Sequence, residues 1–197
     1  MANYNKKISD TSVRIGEVRF AYTHVFAPRI DEEEAKRAAA ENREAKGKYQ
    51  VCVLIPKSQT DTIKMLQEAI AAAEQQGKNT KWGGKIPAGR KLPLHDGDEE
   101  EGKGEEFEGM MYINCSSGTK PGVRVLVDGQ IVEALDDEDF YSGCWGAITV
   151  NAYPYAHTSG GKGVSFGLNN IIKTKDDERL AGRTSAESDF ADLADDI

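Results

Sequence analysis

VRIGEVRFAYTHVF, residues 13–26, decides the fold. Val13, Ile15, Val18, Phe20 and Tyr22 alternate with polar residues, the two-residue period of a strand that lays one face on a core. The alternation slips at Gly16-Glu17, which predicts a bulge or bend, and Pro28 predicts the end of the strand. Outward from this segment, YQVCVLI (49–55), FEGMMYINC (107–115), CWGAITVNAYPY (144–155) and residues 163–172 also have strand character. Residues 123–127 and 130–132 form a hairpin about Asp128-Gly129, a dipeptide that accepts the left-handed backbone of a two-residue turn. Residues 92–94 are a candidate short strand, and HTSGGK (157–162) is turn-like.

Two helices interrupt this pattern. DEEEAKRAAAENREAK (31–46) has acids in its first turn, basic residues late and Gly47 beyond, charges that match the helix dipole. It carries almost no large apolar residue and is expected on the surface as an insertion. A second helix, capped by Ser58 or Thr60 and closed by Gly77, places Ile63, Leu66, Ile70 and Ala73 on one stripe. Roughly seven strands with two helices predict a mostly β, α+β domain. Periodicity alone leaves a five-stranded Greek-key barrel with extra strands and a sandwich both open.

The chain has 197 residues, 39% hydrophobic and 29% charged, with a net charge of −8. That size predicts one domain, here 1–175, followed by an acidic flexible tail at 176–197. Cys52, Cys115 and Cys144 are odd in number and lack a Cys-x-x-Cys spacing, which argues against a disulfide framework and fits a reducing cytoplasm. The first residues lack the apolar core of a signal peptide, and no stretch approaches the ~18 apolar residues of a membrane span.

Acidity is segregated. Residues 1–95 carry 17 Lys+Arg and 11 Asp+Glu, whereas residues 96–197 carry 8 and 22. DGDEEEGKGEEFE (96–108) and the tail hold most of that excess, so the remaining body is mildly basic, a balance compatible with a polyanion ligand.

No catalytic constellation is complete. Gly83-Gly84-Lys85 and Gly160-Gly161-Lys162 lack the glycine and Ser/Thr of a phosphate-binding loop, and Glu101 stands where a calcium loop demands glycine. His24, His95 and His157 are scattered, and neither Ser159 nor Cys144 sits in a nucleophile context. A non-enzymatic protein without cofactor or metal is expected. What survives suits unpaired nucleic acid, which needs a cationic groove and aromatic faces for stacking. KNTKWGGKIPAGRK (78–91) supplies Lys78, Lys81, Lys85, Arg90 and Lys91 around Trp82, whose lysine and glycine neighbours predict an exposed indole. Lys162 adds a phosphate contact, and Tyr141, Trp145 and Tyr153 are further stacking candidates.

GEVRFAYTHVFAP (16–28), KYQVCVLIPKSQTDT (48–62), KWGGKIP (81–87), LPLHDGDE (92–99), YINCSS (112–117), FYSGCWG (140–146) and KGVSFGLNNI (162–171) occur in an order that resembles a bacteriophage family formerly catalogued as a domain of unknown function and similar to phage single-stranded DNA-binding proteins. The resemblance covers nearly the whole chain. It implies an oligonucleotide/oligosaccharide-binding (OB) fold, single-stranded DNA as ligand during replication, recombination or repair, and a bacterial host cytoplasm as location. It also implies a C-terminal tail that contacts phage or host replication and recombination proteins. Phe190, Asp192, Leu193, Asp195 and Asp196 are the candidates for that contact, although the chain ends in Ile197 rather than an aromatic residue. A homo-oligomer is compatible with this picture, and no membrane partner is expected. Two rival readings are a virion structural or protein-interaction protein and a metal-dependent nuclease.

Overall fold

The computed structural model describes residues 4–158 and 161–180. In chain order the elements are β1 (Lys6–Lys7), β2 (Ser12–Arg29), α1 (Glu32–Ala40), β3 (Lys48–Pro56), α2 (Thr60–Thr80), β4 (Leu94–Asp96), β5 (Met110–Ser117), β6 (Gly122–Val127), β7 (Gln130–Glu133), β8 (Trp145–Ala156) and β9 (Lys162–Lys175), with a short 3-10 turn at Glu105–Phe107. β5, β3, β2, β8 and β9 pair in that order, and a parallel contact of β5 with β9 closes the ring. This is the five-stranded Greek-key barrel of the OB fold. The closing contact is short, only Cys115 with Phe166 and Ser116 with Gly167, whereas β8 and β9 pair along their length.

β2 makes the barrel possible because it bends. Its first half pairs with β8 and its second half with β3, and the register breaks between Gly16 and Val18 and again between Ala21 and His24. Glu17 (φ 54°) and Tyr22 (φ 48°) take left-handed backbone at those breaks, the mark of bulges that turn a strand around a barrel corner. The slip at Gly16-Glu17 is therefore a bulge, and the strand continues through Pro28 to Arg29 before it ends. Val13, Ile15, Val18 and Phe20 point inward with Val51, Val53, Ile113, Ile148, Val150, Phe166 and Leu168. α2 covers this interior with Leu66, Ala69, Ile70 and Ala73.

The remaining strands decorate the ring. β1 pairs with β2 and β4 with β5, while β6 runs parallel to β9 and carries β7 as a hairpin. Asp128 (φ 49°) and Gly129 (φ 78°) form the hairpin turn that the dipeptide predicts. α1 is shorter than its charge pattern suggests, because Asn42 turns left-handed (φ 50°) just beyond it. Its start follows the pattern, with Asp31 accepting from the Glu34 amide at 2.7 Å.

Gly77 does not close α2. The helix continues to Thr80, and a Cβ at Gly77 would lie 2.7 Å from Pro154 and 2.8 Å from the Trp82 ring. The glycine is there for close approach. Neither Ser58 nor Thr60 caps the helix. Gln59 stands at its start, and Thr62 donates to the Gln59 side chain at 2.9 Å. All three cysteines are buried and unbridged, and burial pushes the Cys144 thiol up to about 11 and the Cys52 thiol up to about 12.

Candidate functional site

Strands β2, β3 and β5 expose an outer face whose rows are fixed by register. Arg19, Leu54, Tyr112 and His95 form one row; Ala21, Cys52 and Asn114 the next; His24, Gln50 and Ser116 a third; Arg29 and Lys48 the last. The polar half of this face is open. It forms the floor of a cleft of about 490 Å³ lined by Tyr22, His24, Arg29, Arg37, Lys48 and Gln50 among others, with Asn114, Ser116 and Ser165 along its far side. The apolar half is a second, smaller core in which Ala21, Cys52, Leu54 and Tyr112 pack with Phe107.

Tyr22 stands where the two halves meet and is 51% exposed. In a regular strand its side chain would point to the interior, as its alternation with Phe20 suggests. The bulge between Ala21 and His24 breaks that alternation and turns the ring outward.

The segment between β2 and β3 overhangs the cleft and is braced by carboxylates. Glu34 is buried, accepts from Arg43, Arg37 and the Lys46 amide, and these partners, Arg43 foremost, hold its carboxyl far below the ordinary glutamate range. Asp31 spends its oxygens on the Glu34 amide and on Gln50 at 2.8 Å. The acids of the cleft are thus largely occupied, whereas Arg29, exposed, and Lys48, half-buried, line it without a salt bridge among the described residues. Burial first and Arg29 second hold His24 below its ordinary pKa, and burial with Arg37 does the same for His157, so both rings are neutral at pH 7. Each accepts from its arginine at 3.3 Å.

Glu34→Gln is expected to lower the melting temperature by about 2–4 °C, equivalent to losing on the order of 1 kcal/mol in a chain of this size. The sign with pH is fixed by the depressed carboxyl: its contribution is complete above the reference value of 4.5 and fades as pH falls toward the folded value. Melting curves should show the gap between variant and wild type narrowing in acid. A gap independent of pH would assign the effect to packing.

The residues expected from sequence fall in different environments. Lys78, Lys81 and Lys85 are exposed at the end of α2 and in the loop that follows. Lys91 and Lys162 are brought together, because Lys91 donates its amide to the Lys162 carbonyl at 2.9 Å while the Val164 amide donates back to Lys91. Lys91 also borders a notch with Lys36, Arg37, Tyr155 and His157 beside the cleft. Tyr153 is half-buried and pairs across strands with Ser165, which lines the cleft wall. Arg90 is held by Glu74 in a close ion pair, which neutralises it in place.

The expectation for Trp82 is overturned. The indole is 6% exposed and belongs to the barrel core, and its Nε1 donates to the Tyr155 carbonyl at 3.1 Å. Its lysine and glycine neighbours in sequence are not its neighbours in space. Gly77 and Pro154 make the slot it fills, so Trp82 anchors the lysine-bearing loop rather than offering a face to a ligand.

Tyr141 is corrected likewise. It is 9% exposed, donates to Asp176 at 2.8 Å, and is covered by the Arg179 guanidinium 4.3 Å from the ring centre. Trp145 is half-buried and donates to Asp177 at 2.7 Å. The first residues of the expected tail, 176–180, are therefore packed on the barrel. The candidates Phe190, Asp192, Leu193, Asp195 and Asp196 lie outside the described residues.

The open cleft was not singled out by sequence. The available signal was the outward register of β3 and β5, which puts Lys48 and Gln50 beside Asn114 and Ser116 on the face away from the core.

The sequence matches, over residues 11–197, a family model described as Enterobacter phage Enc34, ssDNA-binding protein. Among solved structures, the single-stranded DNA-binding protein from bacteriophage Enc34 in complex with ssDNA is similar at 24% identity and a TM-score of 0.74, covering 92% of this chain and 96% of that one. A second structure of the single-stranded DNA-binding protein from bacteriophage Enc34 is similar at 24% identity and a TM-score of 0.70, covering 96% of both chains. No curated protein sequence matches.

Proposed function

The chain belongs to the Enterobacter phage Enc34 ssDNA-binding protein family, and from that membership we propose that it binds single-stranded DNA across the outer face of β2, β3 and β5, largely without regard to sequence. The observation behind it is the open half of that face: an exposed Tyr22 ring on a bulge, flanked by Arg29 and Lys48 and by hydrogen-bonding side chains at Gln50, Asn114 and Ser116. An aromatic platform accepts any base because every base has a π face, and cations beside it track the phosphates. Lys91 and Lys162 extend the track along the β8–β9 side, where Tyr153 is a second platform, and Lys78, Lys81 and Lys85 continue it toward the end of α2.

Such a protein coats and protects single strands during phage replication, recombination or repair. Its work is binding without catalysis, and it needs no cofactor. The C-terminal residues Phe190, Asp192, Leu193, Asp195 and Asp196 are the proposed contact for replication or recombination proteins. Among the described residues no helix is long and apolar enough to cross a membrane.

The test is an anisotropy titration of labelled oligo(dT) and of a duplex of the same length at several salt concentrations. Single strands should bind more tightly, with log K falling against log salt by about 0.7 for each phosphate contacted. A flat salt dependence, or equal affinity for the duplex, would overturn the assignment.

A further inference from the structure

We infer that the acidic segment 97–108 is a displaceable occupant of the DNA path, covering the apolar half of the outer face until a bound strand takes its place. The inference rests on the DNA-binding reading above and goes beyond it, because it assigns a role to a part of the chain that DNA would not be expected to approach.

The face is continuous in register, from Arg29 and Lys48 at the open end to Leu54, Tyr112 and His95 at the covered end. What interrupts it is the chain itself. Phe107 lies edge-on to Tyr112, with ring centres 5.1 Å apart at 82°, and faces Tyr22 at 6.3 Å and 30°. An aromatic ring thus occupies the place beside Tyr22 and Tyr112 where a nucleobase would stack.

The carboxylates around it sit as phosphate oxygens would. Glu106 accepts from the Tyr22 hydroxyl at 3.5 Å, while Glu100 accepts from the Tyr112 hydroxyl and lies 3.3 Å from His95 Nδ1. Lys103 stands over both Phe107 and Tyr112, at 5.1 and 4.8 Å from their ring centres.

The segment is built to lift. Its ends are fixed, one by Lys57 bridging Asp96 and Asp98, the other by the Gly109 amide on Asp98. Between them Phe107 is the one buried side chain, and Gly102 and Gly109 take left-handed backbone. Seven acids in 97–108 against Lys103 alone give the segment the charge sign of the strand it would yield to, so the two repel and exclude one another. A short oligonucleotide fits the open half and leaves the segment in place. A longer one gains Tyr112 and the far side of Tyr22 only by displacing it.

The experiment compares the full chain with Glu100→Gln/Glu106→Gln, and with Glu101→Gln/Glu108→Gln as a control that removes the same charge without touching either tyrosine. Affinities are read with a short and a long oligo(dT), and hydrogen exchange of the amides of Phe107 and Glu108 is followed with and without the long strand. These amides are bonded to the Gly104 and Glu105 carbonyls in the free protein. The expected result is a three- to tenfold gain for the first variant on the long strand, a smaller gain for the control on both lengths that the first variant matches on the short strand, and faster exchange of these amides when DNA is bound. Equal gains for the two variants on the long strand, or amides as protected with DNA as without, would overturn the inference. If Arg29→Gln/Lys48→Gln binds as the wild type does, the DNA path itself is wrong, a failure separable from the first.

Discussion

Trp82→Ala will cost about 3–5 kcal/mol of folding stability, the usual range for deleting a buried tryptophan, while the folded variant keeps most of its affinity for oligo(dT). The indole fills a slot between α2 and β8, and truncation leaves a cavity there and removes the indole's hydrogen bond to the Tyr155 carbonyl. Urea unfolding measures the first quantity and titration of the folded protein the second. A ring that stacked on bases would give the opposite pair of results, near-native stability with weakened binding. Gly77→Ala tests the same slot from the other side. Its added carbon meets Pro154 and Trp82 at under 3 Å, and overpacking of this kind costs about 1–3 kcal/mol.

The triple substitution Tyr22→Ala/Arg29→Gln/Lys48→Gln will weaken oligo(dT) binding by about two to three orders of magnitude near 0.1 M salt. Loss of one stacking platform accounts for about 1–3 kcal/mol, and loss of two phosphate contacts for the rest. The salt slope should fall by about 1.4 at the same time. All three side chains are at least partly exposed, so the melting temperature should stay close to that of the wild type. Single changes divide the effect: Tyr22→Ala lowers affinity and leaves the slope, whereas Lys48→Gln lowers both. Native affinity in the triple variant would move the DNA off this face.

Much of the barrel was legible because it is written in local pattern. The alternation of 13–22 and of 49–55, the hairpin at Asp128-Gly129 and the bulge at Gly16-Glu17 are each consequences of backbone geometry acting over a few residues. The site was less legible because it depends on distant contacts. Gly77 looks like a helix stop within its own neighbourhood. Only Pro154, far along the chain, reveals it as the floor of the Trp82 slot. Tyr22 has the inward phase of its strand, and a second bulge with no glycine to announce it reverses that phase. The lysines at 78, 81, 85, 91 and 162 were readable as exposed charges, but the cleft beside them is assembled from three strands and the overhang at 30–47.

The ring is joined with unequal strength. β8 and β9 share twelve paired positions, whereas β5 and β9 meet at two, Cys115 and Ser116, the latter on the cleft wall and close to Ser165 opposite. That seam is where the cylinder would part first under strain. A polymer lying across the cleft touches both lips of the seam and staples them, so occupancy would harden the protein at its weakest joint, and a coated strand would carry sturdier beads than those left empty in solution.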